Sequence, residues 1–265
     1  EKPLRDYTKV IQYCDEVKED GFDLVDDFSD LFGMNAAGTD AKMRNTKESI
    51  LEAQFTSGAG NWCTWMFGRD LVNWNNNFTW AKWVTPSRDL ISAFKQEGDE
   101  VRFKESIVYY DCNWSNYYPS DNYPFMYKCR SANSSIIKYR YADVLLLKAE
   151  ALIMQDTPDL EGAADIIDEV RDRAKLGALP TSVRSNKNVL LNALLKERRL
   201  ELAFEGQRWF DLVRLDKVEE VMNAVYAKDS GRKAQIYTFD KNSYRLPIPQ
   251  SVIDANDKIH QNPGY

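Results

Sequence analysis

The sequence predicts a mainly α-helical protein that carries long irregular loops and a few short strands. Three observations lead there. Apolar residues recur at helical spacing over most of the stretch from Tyr139 to Glu205. Helix start and stop residues punctuate that stretch. The segments 61–83 and 98–135 have neither helical nor strand period, yet they are dense in aromatic residues. The chain has 265 residues, 43% hydrophobic and 29% charged, enough for one large domain or two small ones around a packed core. A net charge of −6 with no strong basic patch argues against a nucleic-acid partner. The longest aliphatic run is Val144 to Leu147, far short of a membrane span. The chain opens "EKPLRDYTKV", which reads as helix rather than signal peptide, so a trimmed N-terminus is expected.

The elements follow in order. Leu4, Tyr7, Ile11 and Cys14 share one face of a first short helix, with Gly21 as its stop. "ESILEAQFTS" alternates like a strand, Ile50, Glu52 and Gln54 facing one way and Leu51, Ala53 and Phe55 the other. Pro86 opens the helix "SRDLISAFKQEG". Residues 98–135 read as irregular and aromatic. "YRYADVLLLKAEALIM" is strongly helical. The next helix takes Thr157 as cap, Pro158 in its first turn and Gly177 as its end, with Ala163, Ile166, Ile167, Val170 and Ala174 as its inner stripe. The short connection between these two predicts an antiparallel hairpin. A third helix spans about Lys187 to Glu205, a fourth follows Trp209, and the chain ends in a proline-containing extended segment.

Cys14, Cys63, Cys112 and Cys129 form no CxxC pair, and His260 is the only histidine, so a zinc site is not expected and no cofactor is implied. Most of the thiols are expected to be free and semi-buried. Glu197, Glu201 and Glu205 lie at i,i+4 spacing and raise the question of a catalytic carboxylate pair. Hydrolase carboxylates usually come from separate elements facing a cleft. Arg198 sits on the stripe of Leu191, Leu194, Leu195 and Leu202, and a buried guanidinium needs acid partners. The stretch therefore reads as a structural ion network, with Arg198 paired to Glu205 or to another acid such as Asp211. No Gly-x-Ser-x-Gly elbow, metal cluster or phosphate loop points to an enzyme.

The set "RYADVLLLKAEAL", "DEVRDRAKL", "KERRLELAFEGQRWFDLVR", "RLPIPQSVIDAN" and "QNPGY", in this order, resembles the SusD/RagB family. "FDLVDDFSDLF", "KESILEAQF" and "VTPSRDLISAF" match its looser central pattern. The resemblance implies a SusD-like fold in which tetratricopeptide-like helical hairpins support loops that bind ligand. It implies a non-enzymatic lipoprotein at the outer-membrane cell surface of Bacteroidetes. Such a protein captures oligosaccharide or polysaccharide and delivers it to a SusC-like TonB-dependent transporter, held by a lipid anchor on a segment absent here. On that reading the chain is the C-terminal portion of one domain. Residues 1–20 end the N-terminal helical region, 21–135 form a loop-rich aromatic ligand-binding lobe, and 136–265 form a helical C-terminal region.

Five of the seven tryptophans lie between Trp62 and Trp83, interleaved with Asn75, Asn76 and Asn77. An indole matches the C–H face of a sugar ring, and Asn, Asp and Arg match its hydroxyls. The glycan-site candidates are Trp62, Trp74 and Trp80 for stacking, with Arg69, Asp70, Asn73, Asn75, Asn76 and Asn77 for hydrogen bonds. Trp83 reads as core, Trp65, Met66 and Phe67 as a buried cluster, and Trp209 as structural. The tyrosines from Tyr109 to Tyr127 are a second candidate surface. Peptide capture, as in the RagB branch, and a helical protein-interaction scaffold are the alternatives.

Overall fold

A computed structural model describes residues 5–55, 71–74, 84–114, 117–229 and 238–265. The architecture is mainly helical. The chain divides into two compact units, Glu1–Gly206 and Gln207–Tyr265.

In the first unit, α1 (Tyr7–Glu19), α5 (Tyr141–Met154), α6 (Leu160–Arg173) and α8 (Lys187–Glu201) build the principal core. Here α5 is central: it packs against α1, α6 and α8, and it buries Tyr141, Ala142, Leu145, Leu146, Ala149 and Ile153. Its sequence is apolar nearly all round because it faces neighbours nearly all round. α6 follows after residues 155–159 and packs back on α5, as a hairpin requires. Its ends differ from the sequence reading. The cap is Asp159, whose carboxylate accepts from the Gly162 amide, so Thr157 and Pro158 precede the helix. A carboxylate two residues on, in reach of the free amides, displaces the threonine as cap. The helix closes at Lys175 (φ 61°) rather than at Gly177, with Lys175 and Leu176 amides donating to the Asp172 and Arg171 carbonyls. α8 begins at Asn186, whose side chain caps it, and ends at Glu201, short of Glu205, because Phe204 and Gly206 turn the chain at positive φ. A short helix, α7 (Thr181–Arg184), precedes it.

The strand expected at Ser49–Ala53 is present as β1, paired antiparallel with β4 (Ile136–Arg140). Register shifts at Leu51 break the simple alternation, and Leu51 and Tyr139 face each other exposed. α2 (Ser29–Phe32) lies in the loop before it. α3 (Arg88–Glu97) starts at Ser87, whose hydroxyl accepts from the Leu90 amide, and stops at Gly98 in the left-handed region.

Residues 98–135 correct the expectation of irregular structure. They contain α4 (Glu100–Ser106), then β2 (Ile107–Tyr110) paired antiparallel with β3 (Tyr123–Met126). α4 buries Arg102, Glu105 and Ser106, so its inner face is polar and gives no apolar period. β3 is buried at all four positions, so it shows no alternation either.

The second unit holds α9 (Arg208–Arg214), α10 (Val218–Lys228), a 3-10 turn at Lys241–Tyr244 and α11 (Gln250–Asp254), with Leu212 and Val218 buried. Trp209 is half-buried and meets Phe239 edge-on at 6.3 Å, the structural position expected of it. The Asn223 side chain clamps Phe239, donating to its carbonyl and accepting from its amide, both at 2.9 Å. The terminal "QNPGY" folds back on "RLPIP". Gln261 bonds both backbone groups of Ile248, Asn262 donates to the Leu246 carbonyl, and the Tyr265 hydroxyl donates to the Arg245 carbonyl. Gly264 has φ 96°, and a Cβ there would stand 2.6 Å from Cβ of Asn242, so only glycine closes this turn.

Candidate functional site

Two dense clusters in the first unit compete for the role of functional site. The first is ionic and surrounds the C-terminal half of α8. Arg102 is fully buried. Its Nε reaches Asp99 at 2.5 Å, and its Nη1 reaches Glu197 at 2.5 Å and Glu201 at 3.0 Å. Arg140 is 1% exposed and binds Glu48 at 2.7 Å, Glu201 at 2.5 Å and Glu205 at 2.7 Å. Arg173 joins Glu48 at 2.5 Å and also Glu201. Lys128 donates to Glu205 at 2.6 Å and to the Glu201 carbonyl at 2.9 Å. Arg171 links Glu197 to Glu97.

Electrostatics follow from this count of partners. Burial pushes the Glu201 carboxyl up, but Arg173, Arg140 and Arg102 together hold it well below the usual value. Glu205 is likewise lowered, burial being outweighed by Arg140 and Lys128. Glu197 is raised, because burial outweighs the help from Arg102 and Arg171. Burial lowers the Lys128 ammonium, partly offset by Glu205. Each carboxylate of the i,i+4 series is thus engaged by cations inside the fold. The ion network expected from the sequence is there, with one changed pairing: Arg198 reaches Asp143 at 2.8 Å, while Glu205 is held by Arg140 and Lys128. Arg198 points from α8 towards α5, whereas Glu205 lies beyond the helix end, where helical spacing no longer places it. The sequence reading missed Arg102, Arg140, Arg173 and Lys128, which come from four other segments.

The second cluster is aromatic. Leu71, Cys112, Tyr123 and Phe125 are buried, and Trp74, Tyr110, Trp114, Tyr118 and Tyr127 pack on them half-buried. β2 and β3 supply the base. The backbone enters through a 3-10 turn at Leu71–Asn73, fixed by the Leu71 amide on the Arg130 carbonyl at 2.9 Å and by the Tyr110 hydroxyl on the Leu71 carbonyl. Trp74 follows that turn. Its indole stacks on Tyr110 at 5.5 Å and 11°, lies 4.7 Å from Phe125, and donates its N–H to the Asp111 carbonyl at 2.8 Å. Trp114 meets Tyr123 at 4.7 Å and Phe125 at 6.0 Å. Trp74 thus shares one layer with Tyr110, Tyr118, Tyr123 and Tyr127 of the second candidate surface, while Tyr109 packs with Phe94 and Phe103 in another cluster.

Of the candidate sugar-binding residues, Asn73 closes the 3-10 turn. Trp62, Arg69, Asp70, Asn75, Asn76, Asn77 and Trp80 lie outside the described residues, as do Cys63, Trp65, Met66, Phe67 and Trp83. Cys14 and Cys112 are free thiols, and burial pushes Cys14 up to about 11. Among the described residues no group of His, Cys, Asp and Glu could hold a metal ion, and no helix is long and apolar enough to cross a membrane.

A family model described as the SusD family matches residues 118–265, more than half of the chain. The chain belongs to the SusD family. Its relatives include two SusD-like proteins of Formosa agariphila. P38 is 43% identical over 99 residues, covering 35% of this chain and 19% of that protein. P2 is 36% identical over 143 residues, covering 51% and 27%. Among solved structures, a laminarin-binding SusD-like protein is 25% identical with a TM-score of 0.65, covering 98% of this chain and 60% of the other. Surface glycan-binding protein A of Bacteroides thetaiotaomicron, in complex with laminarihexaose, is 20% identical with a TM-score of 0.73, covering 97% and 59%. This SusD-family chain thus spans about 60% of those structures, and its matches span about a quarter or less of the two Formosa proteins. The mainly helical SusD-like fold is shared with the solved structures.

Proposed function

We propose that this SusD-family chain binds oligosaccharide or polysaccharide through the aromatic layer around Trp74, and that it is a binding protein and not an enzyme. The observation that carries the reading is the anchoring of Trp74. Its ring is supported from one side by Tyr110 and fixed by its N–H on Asp111, yet it remains half-buried. A ring held in place loses little entropy on binding, which suits a stacking platform for a sugar face. The adjoining Asn75, Asn76 and Asn77 supply hydroxyl partners on this reading. Family kinship with glycan-binding and laminarin-binding proteins supports the ligand class. The engagement of Glu197, Glu201 and Glu205 by buried cations supports the absence of hydrolysis.

Delivery to a SusC-like TonB-dependent transporter and attachment at the outer-membrane surface complete the proposal, and they rest on the family alone. Aromatic contacts of this kind contribute roughly 0.5–1.5 kcal/mol each beyond area burial. A few of them give dissociation constants of roughly micromolar to millimolar order. Capture must be reversible if the ligand is passed on, and closing over a transporter would add effective concentration. A glycan array followed by calorimetric titration tests the reading, with reducing-end release measured on each bound glycan. Binding without release is expected. Release that Glu197→Gln or Glu201→Gln abolishes would overturn it, as would an array on which no glycan binds while peptides do in titration.

A further inference from the structure

The Trp74 indole is placed by two consecutive residues at the end of β2. Tyr110 lies under its face, with ring centroids 5.5 Å apart and planes 11° from parallel. Asp111 takes its edge, the carbonyl accepting the indole N–H at 2.8 Å. The face contact sets the tilt of the ring, and the edge bond sets its rotation within that plane. Pairing with β3 holds Tyr110 itself, in register with Tyr123.

Tyr110 also reaches the backbone that delivers Trp74. Its hydroxyl donates to the Leu71 carbonyl, and the Leu71 amide donates to the Arg130 carbonyl at 2.9 Å. Both polar backbone groups of this fully buried residue are thereby held, in the turn that leads to the indole. Arg130 is fixed in its own right. Its guanidinium stands 3.7 Å over the Tyr127 ring, its Nε donates to the Tyr127 carbonyl at 2.9 Å, and its Nη2 meets the Glu105 carboxylate at 2.8 Å. Tyr127 packs in the same layer as Tyr110. One phenol thus braces both the ring of Trp74 and the turn before it.

We propose that Tyr110 is the positioning residue of the stacking platform: its hydroxyl bond to Leu71 fixes the indole, and it raises glycan affinity through Trp74 rather than by touching the sugar. This role deepens the proposed glycan binding and rests on it. A phenol offers two separable things, a ring face and a hydroxyl. In Tyr110→Phe the face beneath Trp74 survives and the bond to the Leu71 carbonyl does not. A buried carbonyl then loses that donor, and the turn gains freedom that a bound sugar must remove again. Affinity falls although no group that contacts the sugar has changed.

A double-mutant cycle tests this, because a residue that acts through Trp74 has no effect on affinity once Trp74 is gone. Laminarihexaose, cellohexaose and mannohexaose are titrated calorimetrically. The tightest binder is carried through Tyr110→Phe, Trp74→Ala and the double variant, and the melting temperature of each protein is recorded beside its affinity. Tyr110→Phe is expected to weaken binding about fivefold, Trp74→Ala about tenfold, and the double variant again about tenfold, where two independent contacts would give about fiftyfold. A Tyr110→Phe effect that persists in the Trp74→Ala background overturns the inference, for Tyr110 would then meet the sugar itself. Unchanged affinity in Tyr110→Phe also overturns it, and with a lowered melting temperature the hydroxyl would be a brace of the fold alone. If Trp74→Ala weakens binding while Tyr110→Phe does not, the platform stands and only its positioning by Tyr110 fails. If Trp74→Ala leaves binding intact, or none of the three hexaoses binds, the platform reading and this role fall together.

Discussion

The ionic lattice around α8 and the aromatic layer around Trp74 are equally rich in residue types that carry function elsewhere. They differ in what is left over once the fold is made. In the lattice every described charge of Glu201 is spoken for: Arg102, Arg140 and Arg173 converge on one carboxylate that is fully buried. In the layer the base is complete, with Tyr123 and Phe125 at 1% and 0% exposure, but the rings above it are only half covered. Carboxylates held by buried cations inside the protein are poorly placed to take up protons from, or attack, a substrate. Rings that are supported on one side and half covered can still meet a ligand. On the proposed reading the lattice serves stability and the layer serves recognition.

The largest expected effect lies in the lattice. Glu201→Ala leaves three guanidiniums facing each other in the interior, and breaking such a buried pair costs about 3–5 kcal/mol. For a chain of this size that corresponds to a melting temperature lower by roughly 10 °C. A variant that melts normally would break the division between the two regions. Arg198→Ala comes next. It strands Asp143 on α5 and should cost about 3 kcal/mol, with ligand affinity unchanged in whatever fraction stays folded. Unaltered melting with lost binding would move Arg198 from lattice to site.

Acid sharpens the same contrast. Glu201 and Glu205 are lowered in the folded state, so they contribute stability that is complete above the unfolded value near 4.3 and is lost as pH falls through their folded values. Glu197 is raised, so it opposes them: the folded form takes its proton more readily than the unfolded chain. Asp99 is raised as well, by burial, but in Glu97 burial is outweighed by Lys196 and Arg171, which lower it, so the lowered carboxylates still outnumber the raised ones. Melting temperature should therefore hold from neutral pH down to about pH 5 and fall below about pH 4. Glu201→Gln should flatten that fall, since the titrating group is gone.

Much of the helical half was legible because apolar spacing encodes it. α5 and α6 are plain in "RYADVLLLKAEAL" and "DEVRDRAKL", and their packing partners follow from the stripe. What the sequence hides is structure with a polar inside. α4 buries Arg102, Glu105 and Ser106, and nothing in its spacing marks those side chains as interior. β3 is buried throughout and shows no alternation. Helix ends were misplaced where two capping residues compete, as Thr157 does with Asp159. Of the candidate site, the asparagine-rich setting that singled out Trp74 agrees with its half-buried position. Its support on Tyr110 was not legible, because that contact joins residues 36 apart that only the pairing of β2 and β3 brings to one place. The stacking of Arg88 over Tyr117 and Tyr118 was likewise hidden, because it joins a readable helix face to a distant loop.

The central claim is that the aromatic layer recognises the ligand while the lattice holds the fold, and Trp74→Ala tests it most directly. Thermal unfolding and calorimetric titration with the best glycan from the array are measured on the same preparation. The account predicts affinity about tenfold weaker, near 1.4 kcal/mol. It also predicts a stability loss smaller than the roughly 3–5 kcal/mol of removing a fully buried aromatic residue, because the indole is half-buried. Unchanged affinity with a large fall in melting temperature would contradict it, for Trp74 would then belong to the core.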